Sequence, residues 1–189
     1  MNRALNFGTF YLAWFACVVG AARGHLWLGP VMVAALLLAH VALGANRRRE
    51  ATLILTIGIF GFAVDTLQAS AGLYAFTRTS VLPWLCPPWM VALWMVFAST
   101  LNSSMAWIAG RYLLGATLGA LCGPLSYLAG ARLGAIELPE NALASLIGIA
   151  IVWALAVPAV LVIRDVLATS ASAVVLGQNL ARARWQRGG

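Results

Sequence analysis

Six runs of about 20 apolar residues, separated by short segments that carry arginine, dominate this sequence. The hydrocarbon core of a bilayer is about 30 Å thick, so a helix needs roughly 20 apolar residues to cross it. The runs are Ala4–Ala22, Leu26–Ala45, Ala51–Phe76, Pro87–Trp107, Tyr112–Gly130 and Ala142–Ile163. We therefore predict an all-α fold, a polytopic transmembrane helical bundle of six spans. The fourth run is the least regular, because its second half is polar.

Composition excludes several classes of protein. The chain is 62% hydrophobic and 9% charged, with a mean hydropathy of +0.91, whereas a soluble domain carries about 25% charged residues. A soluble enzyme, a disordered chain and a nucleic-acid-binding protein do not fit. No segment outside the runs is long enough for a second domain. We expect a membrane domain over residues 1–163 and a basic tail over 164–189, which forms either an interfacial helix or a solvated tail.

The arginines predict the orientation. All 12 basic residues are arginine, and they lie between the apolar runs or in the tail. If the N-terminus is inside, nine arginines lie on the inner side and three, Arg23, Arg78 and Arg132, on the outer side. Because cytoplasmic loops are enriched in basic residues, we expect both termini to be cytoplasmic. The predicted location is the bacterial inner (cytoplasmic) membrane, where the tail faces anionic lipids.

Asp65 is the most informative polar residue. It lies in the third run, about two-thirds of the way towards the outer side. A carboxyl group there must face protein or water, because exposure to lipid costs about 2.5–3.5 kcal/mol. Small residues flank it at helical spacing, which favours close approach of another helix. Two readings stay open: a site for a proton, ion or substrate headgroup, or a protonated or arginine-paired structural carboxyl group.

Other polar residues of the outer half fall at a similar depth. They predict a cavity near Asp65 and Arg132, open towards the outer leaflet, that holds an amphipathic ligand. Trp14 or Trp94 could line its apolar part. Asn102 is a further polar candidate, in the inner half. The predicted ligand-binding residues are Asp65, Gln68, Ser126, Tyr127, Arg132 and Asn102.

Motifs for catalysis or cofactor binding are missing from the sequence. Three cysteines are widely separated, and no metal-ligand spacing occurs, so we predict neither a metal nor a cofactor. There is no nucleophile elbow and no phosphate-binding glycine loop, so catalytic residues remain unknown. Gly115, Gly119 and Gly123 form a small-residue seam. Such a seam is typical of tight helix packing, and it is also a candidate contact for an oligomer.

Three stretches together resemble a known family. They are 14–30, 98–102 and 123–135, of which the last, GPLSYLAGARLGA, is the most specific. The chain resembles a family of small proteobacterial inner-membrane proteins classed as a domain of unknown function, over Asn6 to about Val162. The resemblance implies a topology, and it implies that the family's genes often lie near genes for lipid-modifying enzymes. It assigns no activity and no role to any residue.

Function is predicted at the level of class. We expect a protein that binds or moves a lipid or other amphipathic small molecule, with membrane lipids as its partners and no nucleic acid. A lipid-modifying enzyme and an accessory subunit of another membrane protein are the alternatives. Enzymatic activity is the less favoured reading, because acid–base catalysis needs positioned ionisable groups and few lie within the runs.

Overall fold

The computed structural model describes residues 2–44, 46–78 and 82–187, with side chains described up to residue 169. Within these residues the chain forms six α-helices and one two-stranded sheet. The helices are α1 (Arg3–Ala22), α2 (Leu28–Leu43), α3 (Arg47–Ser70), α4 (Pro88–Thr100), α5 (Tyr112–Leu133) and α6 (Ala142–Arg187). The strands are β1 (Ala75–Phe76), which follows α3, and β2 (Ile136–Glu137), which follows α5. The all-α prediction is confirmed.

Helix α3 is shifted along the sequence relative to the third apolar run. It begins at Arg47 because the Asn46 side chain caps it, accepting a hydrogen bond from the Arg49 amide at 3.2 Å. Such a cap satisfies one of the amides that a helix N-terminus leaves free. The helix ends at Ser70, and Gly72 then adopts a φ of +74°. The last two residues of the run, Ala75 and Phe76, form β1 instead.

Helix α6 continues well beyond the predicted end at Ile163. Its backbone is helical to Arg187 and passes through Pro158. The predicted tail therefore begins as a continuation of the last helix. The described part does not include the side chains of four residues of the predicted tail, Arg182, Arg184, Trp185 and Arg187. It also leaves out Met1, Ala45 and residues 188–189, which are the first or last residues of predicted segments.

Four of the helices are long and apolar enough to cross a membrane: α1, α3, α5 and the Ala142–Thr169 part of α6. Helices α2 and α4 have 16 and 13 residues, which at 1.5 Å per residue gives lengths of about 24 Å and 20 Å. These apolar helices support a membrane-embedded protein.

The connections gather at two opposite ends of the bundle. At the first, which we call the sheet end, β1 pairs antiparallel with β2, with Ala75 opposite Glu137. Thr77 also donates a hydrogen bond to the Gly134 carbonyl, at 2.8 Å. At the other end, Asn102 after α4 contacts Glu50 near the start of α3, at 2.9 Å. Successive helices therefore run in alternating directions.

Glycines allow several pairs of helices to approach closely. On α5, a Cβ added at Gly115, Gly119 or Gly123 would collide with residues of α6, among them Trp153 and Leu161. The predicted small-residue seam thus packs within the chain. An oligomer built on the same glycines would have to displace α6, and that interface stays a prediction. On α3, Gly61 packs directly against the Trp94 ring of α4.

We predict that Gly61→Ala destabilises the fold, because the added methyl group would force the Trp94 ring away from α3. Overpacking of this kind costs about 1–3 kcal/mol. Thermal unfolding of the purified protein in detergent should show a lower midpoint. Gly8→Ala is the matched control, since a Cβ there meets nothing within 4 Å. Equal midpoints for the two variants would contradict the packing of α3 on α4.

Candidate functional site

The carboxyl group of Asp65 lies at the centre of a buried hydrogen-bonded cluster, and its residue is 0% exposed. Its Oδ1 accepts from the Tyr74 hydroxyl at 2.7 Å, from Gln68 Nε2 at 3.3 Å and from the Tyr127 hydroxyl. Its Oδ2 accepts from Trp94 Nε1 at 2.5 Å. We call these five residues the Asp65 cluster.

Each donor of the Asp65 cluster comes from a different part of the fold. Gln68 lies one turn further along α3, Trp94 on α4 and Tyr127 on α5, while Tyr74 follows the end of α3. Burial raises the pKa of the Tyr74 hydroxyl, which therefore remains a hydrogen-bond donor. The carboxyl group consequently joins three helices and a connecting segment at one point.

Neutral groups alone satisfy the Asp65 carboxyl group in the described part of the chain. It makes no ion pair there, and the surroundings are aromatic. The Trp94 ring stacks on that of Trp153 of α6, with centroids 4.8 Å apart and planes at 14°. The Tyr74 and Tyr127 rings lie 4.9 Å apart. Because a buried polar group is costly unless it is hydrogen-bonded, the cluster makes a buried carboxyl group tolerable without a cation.

The structure brings some of the sequence-predicted site residues together and separates others. Gln68 and Tyr127 contact Asp65 directly. Ser126 is exposed and accepts from Trp14 Nε1 at 3.2 Å. Arg132 is exposed at the sheet end, whereas Asp65 is fully buried.

Sequence reasoning missed Tyr74 as a partner of Asp65, and it assigned Trp94 to a cavity wall. A tryptophan in the middle of an apolar helix carries an N–H that needs an acceptor when buried. That signal could have paired Trp94 with Asp65. Tyr74 gives no such signal, because its position depends on the turn after α3.

A cleft of about 330 Å³ opens beside the Asp65 cluster at the sheet end. It is lined by Ala69, Gly72, Tyr74, Ala75, Pro83, Trp84, Glu137, Leu138 and Pro139. Most of these residues are apolar, and Glu137 is the acidic one. Tyr74 belongs to both places, because it is one of the lining residues of the cleft and its hydroxyl binds Asp65. The cleft can accept the apolar part of a small molecule and present a polar group to its head.

A second cluster lies at the opposite end of the bundle. Glu50 accepts from Asn102 Nδ2 at 2.9 Å and lies 3.3 Å from His40 Nε2. Asn102 in turn accepts from Arg164 Nε at 2.9 Å. The chain of contacts continues from Arg164 to Asp165 at 2.7 Å. Tyr112 completes it, donating to Asp165 at 2.9 Å. We call these six residues the polar chain, and Asn102, the predicted site residue of the inner half, is its middle member.

Polar contacts to the segment after α4 accompany the early end of that helix. The segment after Thr100 turns instead of continuing as a helix, and it includes a 3-10 turn at Ala106–Ile108. Irregular backbone at membrane depth is tolerated where protein groups satisfy it. Asn6 of α1 supplies one such group, because its Oδ1 accepts from the amide and the hydroxyl of Ser104. The polar residues of the fourth run therefore end a helix and bind its neighbours.

Metal binding has little support in the geometry. The described residues contain no group of three or more His, Cys, Asp or Glu side chains that could hold a metal ion. The arrangement favours binding at the cleft and structural roles for the buried Asp65 cluster and the partly buried polar chain.

We predict that Asp65→Asn lowers the stability of the protein. The asparagine amide would place an N–H₂ group among the donors of Tyr74, Tyr127 and Trp94, and an unsatisfied buried group costs about 1–3 kcal/mol. The measurement is the folded yield and the unfolding midpoint in detergent, with the exposed Glu140→Gln as control. A folded yield equal to that of the unmodified protein would instead support a ligand- or proton-binding role for Asp65.

We also predict that Asn102→Leu weakens the contact between α3 and α6. The change removes the acceptor of Arg164 and a donor to Glu50, so two polar groups lose a partner. Chemical unfolding should show a free energy of unfolding that is lower by about 1–3 kcal/mol. Ser103→Ala is the control, since it leaves the contacts of Asn102 with Glu50 and Arg164 intact. If both variants unfold like the original protein, the polar chain does not stabilise the bundle.

Comparison with known proteins gives a family but no activity. The model of a family described as "Protein of unknown function (DUF2878)" matches residues 3–159. No curated protein and no solved structure matches the chain. The resemblance to a domain of unknown function is thereby confirmed, while a proteobacterial origin stays a prediction. Since the match covers well over half of the 189 residues, the chain belongs to the DUF2878 family of proteins of unknown function.

Proposed function

We propose that this chain is a six-span protein of the bacterial inner membrane that binds an amphipathic small molecule, in the first place a lipid. The binding site is the cleft at the sheet end. Both termini lie in the cytoplasm, so the sheet end faces the periplasmic side. The protein acts by binding or moving its ligand.

Six spans are compatible with the two short helices. Helix α4 is followed by a turning segment whose apolar residues Leu101 and Ile108 are 1% and 0% exposed. This segment extends the buried length of the fourth span beyond that of the helix alone. Helix α2 runs in the direction opposite to that of α1 and α3, so it follows the same alternation as the other five helices. The arginines supply the orientation, because the sheet end carries only Arg23, Arg78 and Arg132 and basic residues favour the cytoplasmic side.

The single observation that carries the binding proposal is the lining of the cleft. Ligand sites are mostly apolar concave surfaces with a few polar groups that orient the ligand. Here prolines, alanines and Leu138 supply the apolar wall, and Glu137 supplies the polar group. Trp84 lies at the rim and is 45% exposed. A tryptophan in that position is typical of the interface between headgroups and hydrocarbon.

The Asp65 cluster lies next to the cleft and shares Tyr74 with its lining. By accepting a hydrogen bond from the Tyr74 hydroxyl, Asp65 holds in place one of the lining residues of the cleft, which is itself almost fully buried. In this proposal Asp65 and Gln68 act on the ligand through Tyr74, and Arg132 belongs to the surrounding surface. The proposed site thus lies closer to the sheet end than the site that the sequence predicted around Asp65 and Arg132.

Filling the cleft tests the binding proposal. Ala75 is exposed and lines the cleft, whereas Ala71 is exposed nearby and does not line it. Ala75→Trp should reduce the lipid that stays bound in native mass spectrometry of protein purified from membranes, and Ala71→Trp should not. Equal lipid retention by the two variants and the original protein would exclude the cleft as the binding site.

Cysteine labelling tests the proposed topology. Single changes Glu140→Cys at the sheet end and Arg48→Cys at the other end should differ in reaction with a membrane-impermeant maleimide. In cells with a permeabilised outer membrane and an intact inner membrane, residue 140 should react and residue 48 should not. The reverse pattern would show an inverted orientation. Labelling of both residues would place them on the same side of the membrane and would contradict the three spans proposed between them.

A further inference from the structure

We infer that the ligand of the cleft carries an ammonium headgroup, primary or quaternary, which the Glu137 carboxylate binds. This inference rests on the proposed function, since it names the chemistry of the ligand at the same site. It follows from three features of the cleft: an acid that has no partner among the described side chains, the placement of the neighbouring arginines, and an exposed indole ring.

Glu137 is held in place by strand pairing, and no described side chain supplies it with a counter-ion. Strand pairing sets its backbone opposite Ala75, which also lines the cleft. Its side chain is exposed. Among the described side chains it makes no ion pair and no hydrogen bond. The carboxylate is therefore available to a cation that enters the cleft.

The arginines of the sheet end do not line the cleft. Arg78 follows β1 closely in sequence, yet its guanidinium lies over Gly24, with Nη1 3.5 Å from where a Cβ of residue 24 would stand. Gly24 is no part of the cleft. Neither Arg23 nor Arg132 contributes to the lining. A protein with a net charge of +7 thus presents a cleft whose charged group is negative, which favours a cationic headgroup over an anionic one.

The aromatic residue at the rim fits the same chemistry. Trp84 lines the cleft and leaves nearly half of its surface accessible. Indole rings attract ammonium groups through the cation–π interaction, and carboxylate–aromatic sites recognise choline-like cations in this way. Glu137 and Trp84 together can hold an ammonium group while the apolar wall takes up part of the attached chain.

Headgroup competition tests the inference. The full-length protein is reconstituted into nanodiscs that contain equal amounts of phosphatidylethanolamine, phosphatidylcholine and phosphatidylglycerol, and the retained lipid is measured by native mass spectrometry. The two ammonium lipids should be retained about threefold to tenfold better than phosphatidylglycerol, as expected for one rim ion pair with a cation–π contact. Comparison of the first two lipids separates a primary from a quaternary headgroup.

Glu137→Gln should remove this preference, while Glu140→Gln should keep it, because Glu140 is exposed in the same connection but does not line the cleft. Retention without headgroup preference, or a preference for phosphatidylglycerol that Glu137→Gln leaves unchanged, would overturn the ammonium inference alone. In that case Ala75→Trp still lowers retention, and the cleft remains the binding site. Retention that Ala75→Trp does not lower would overturn the proposed function as well.

Discussion

The hydrogen bonds to the buried Asp65 carboxyl group are the interaction on which the rest of this structure depends. Hydrocarbon offers no partner to a polar group, so a carboxyl group inside the bundle must be satisfied by the protein. Side chains from α4, α5 and the segment after α3 converge on it. That convergence sets the position of the aromatic rings packed around it. It also fixes Tyr74, and with Tyr74 a wall of the cleft.

The polar chain has the corresponding role at the opposite end. Helices within a membrane gain little from hydrophobic association, and interhelical hydrogen bonds help to specify their packing. Glu50 and Arg164 are charged residues of α3 and α6, and Asn102 bridges them from the segment after α4. The bridge lets a helix of 13 residues take part in a bundle of longer ones. The Asp65 cluster and the polar chain thus secure opposite ends of the bundle, and the cleft lies at the sheet end.

Hydropathy and periodicity predicted the class of fold, and they placed α1, α2 and α5 closely, because an apolar segment in lipid must satisfy its own backbone as a helix. The bounds of α3, α4 and α6 differ from the predicted runs by four residues or more at one end or both. The pairing of Asp65 with Gln68 followed from their spacing of one turn. Other features depended on long-range geometry that no local pattern encodes. Tyr74 reaches Asp65 only because Gly72 reverses the chain. The cleft forms where β1 meets β2 across about 60 residues of sequence, so no local pattern placed Glu137 opposite Ala75.

The most direct measurement is a double-mutant cycle between Asp65 and Tyr74, with Asp65→Asn, Tyr74→Phe and the combined variant compared by free energy of unfolding in lipid bicelles. If the carboxyl group holds the cleft wall through the Tyr74 hydroxyl, the two changes are not additive. The expected coupling is about 1 kcal/mol, in the range found for hydrogen bonds within membranes. Additive effects, with a coupling indistinguishable from zero, would contradict the account.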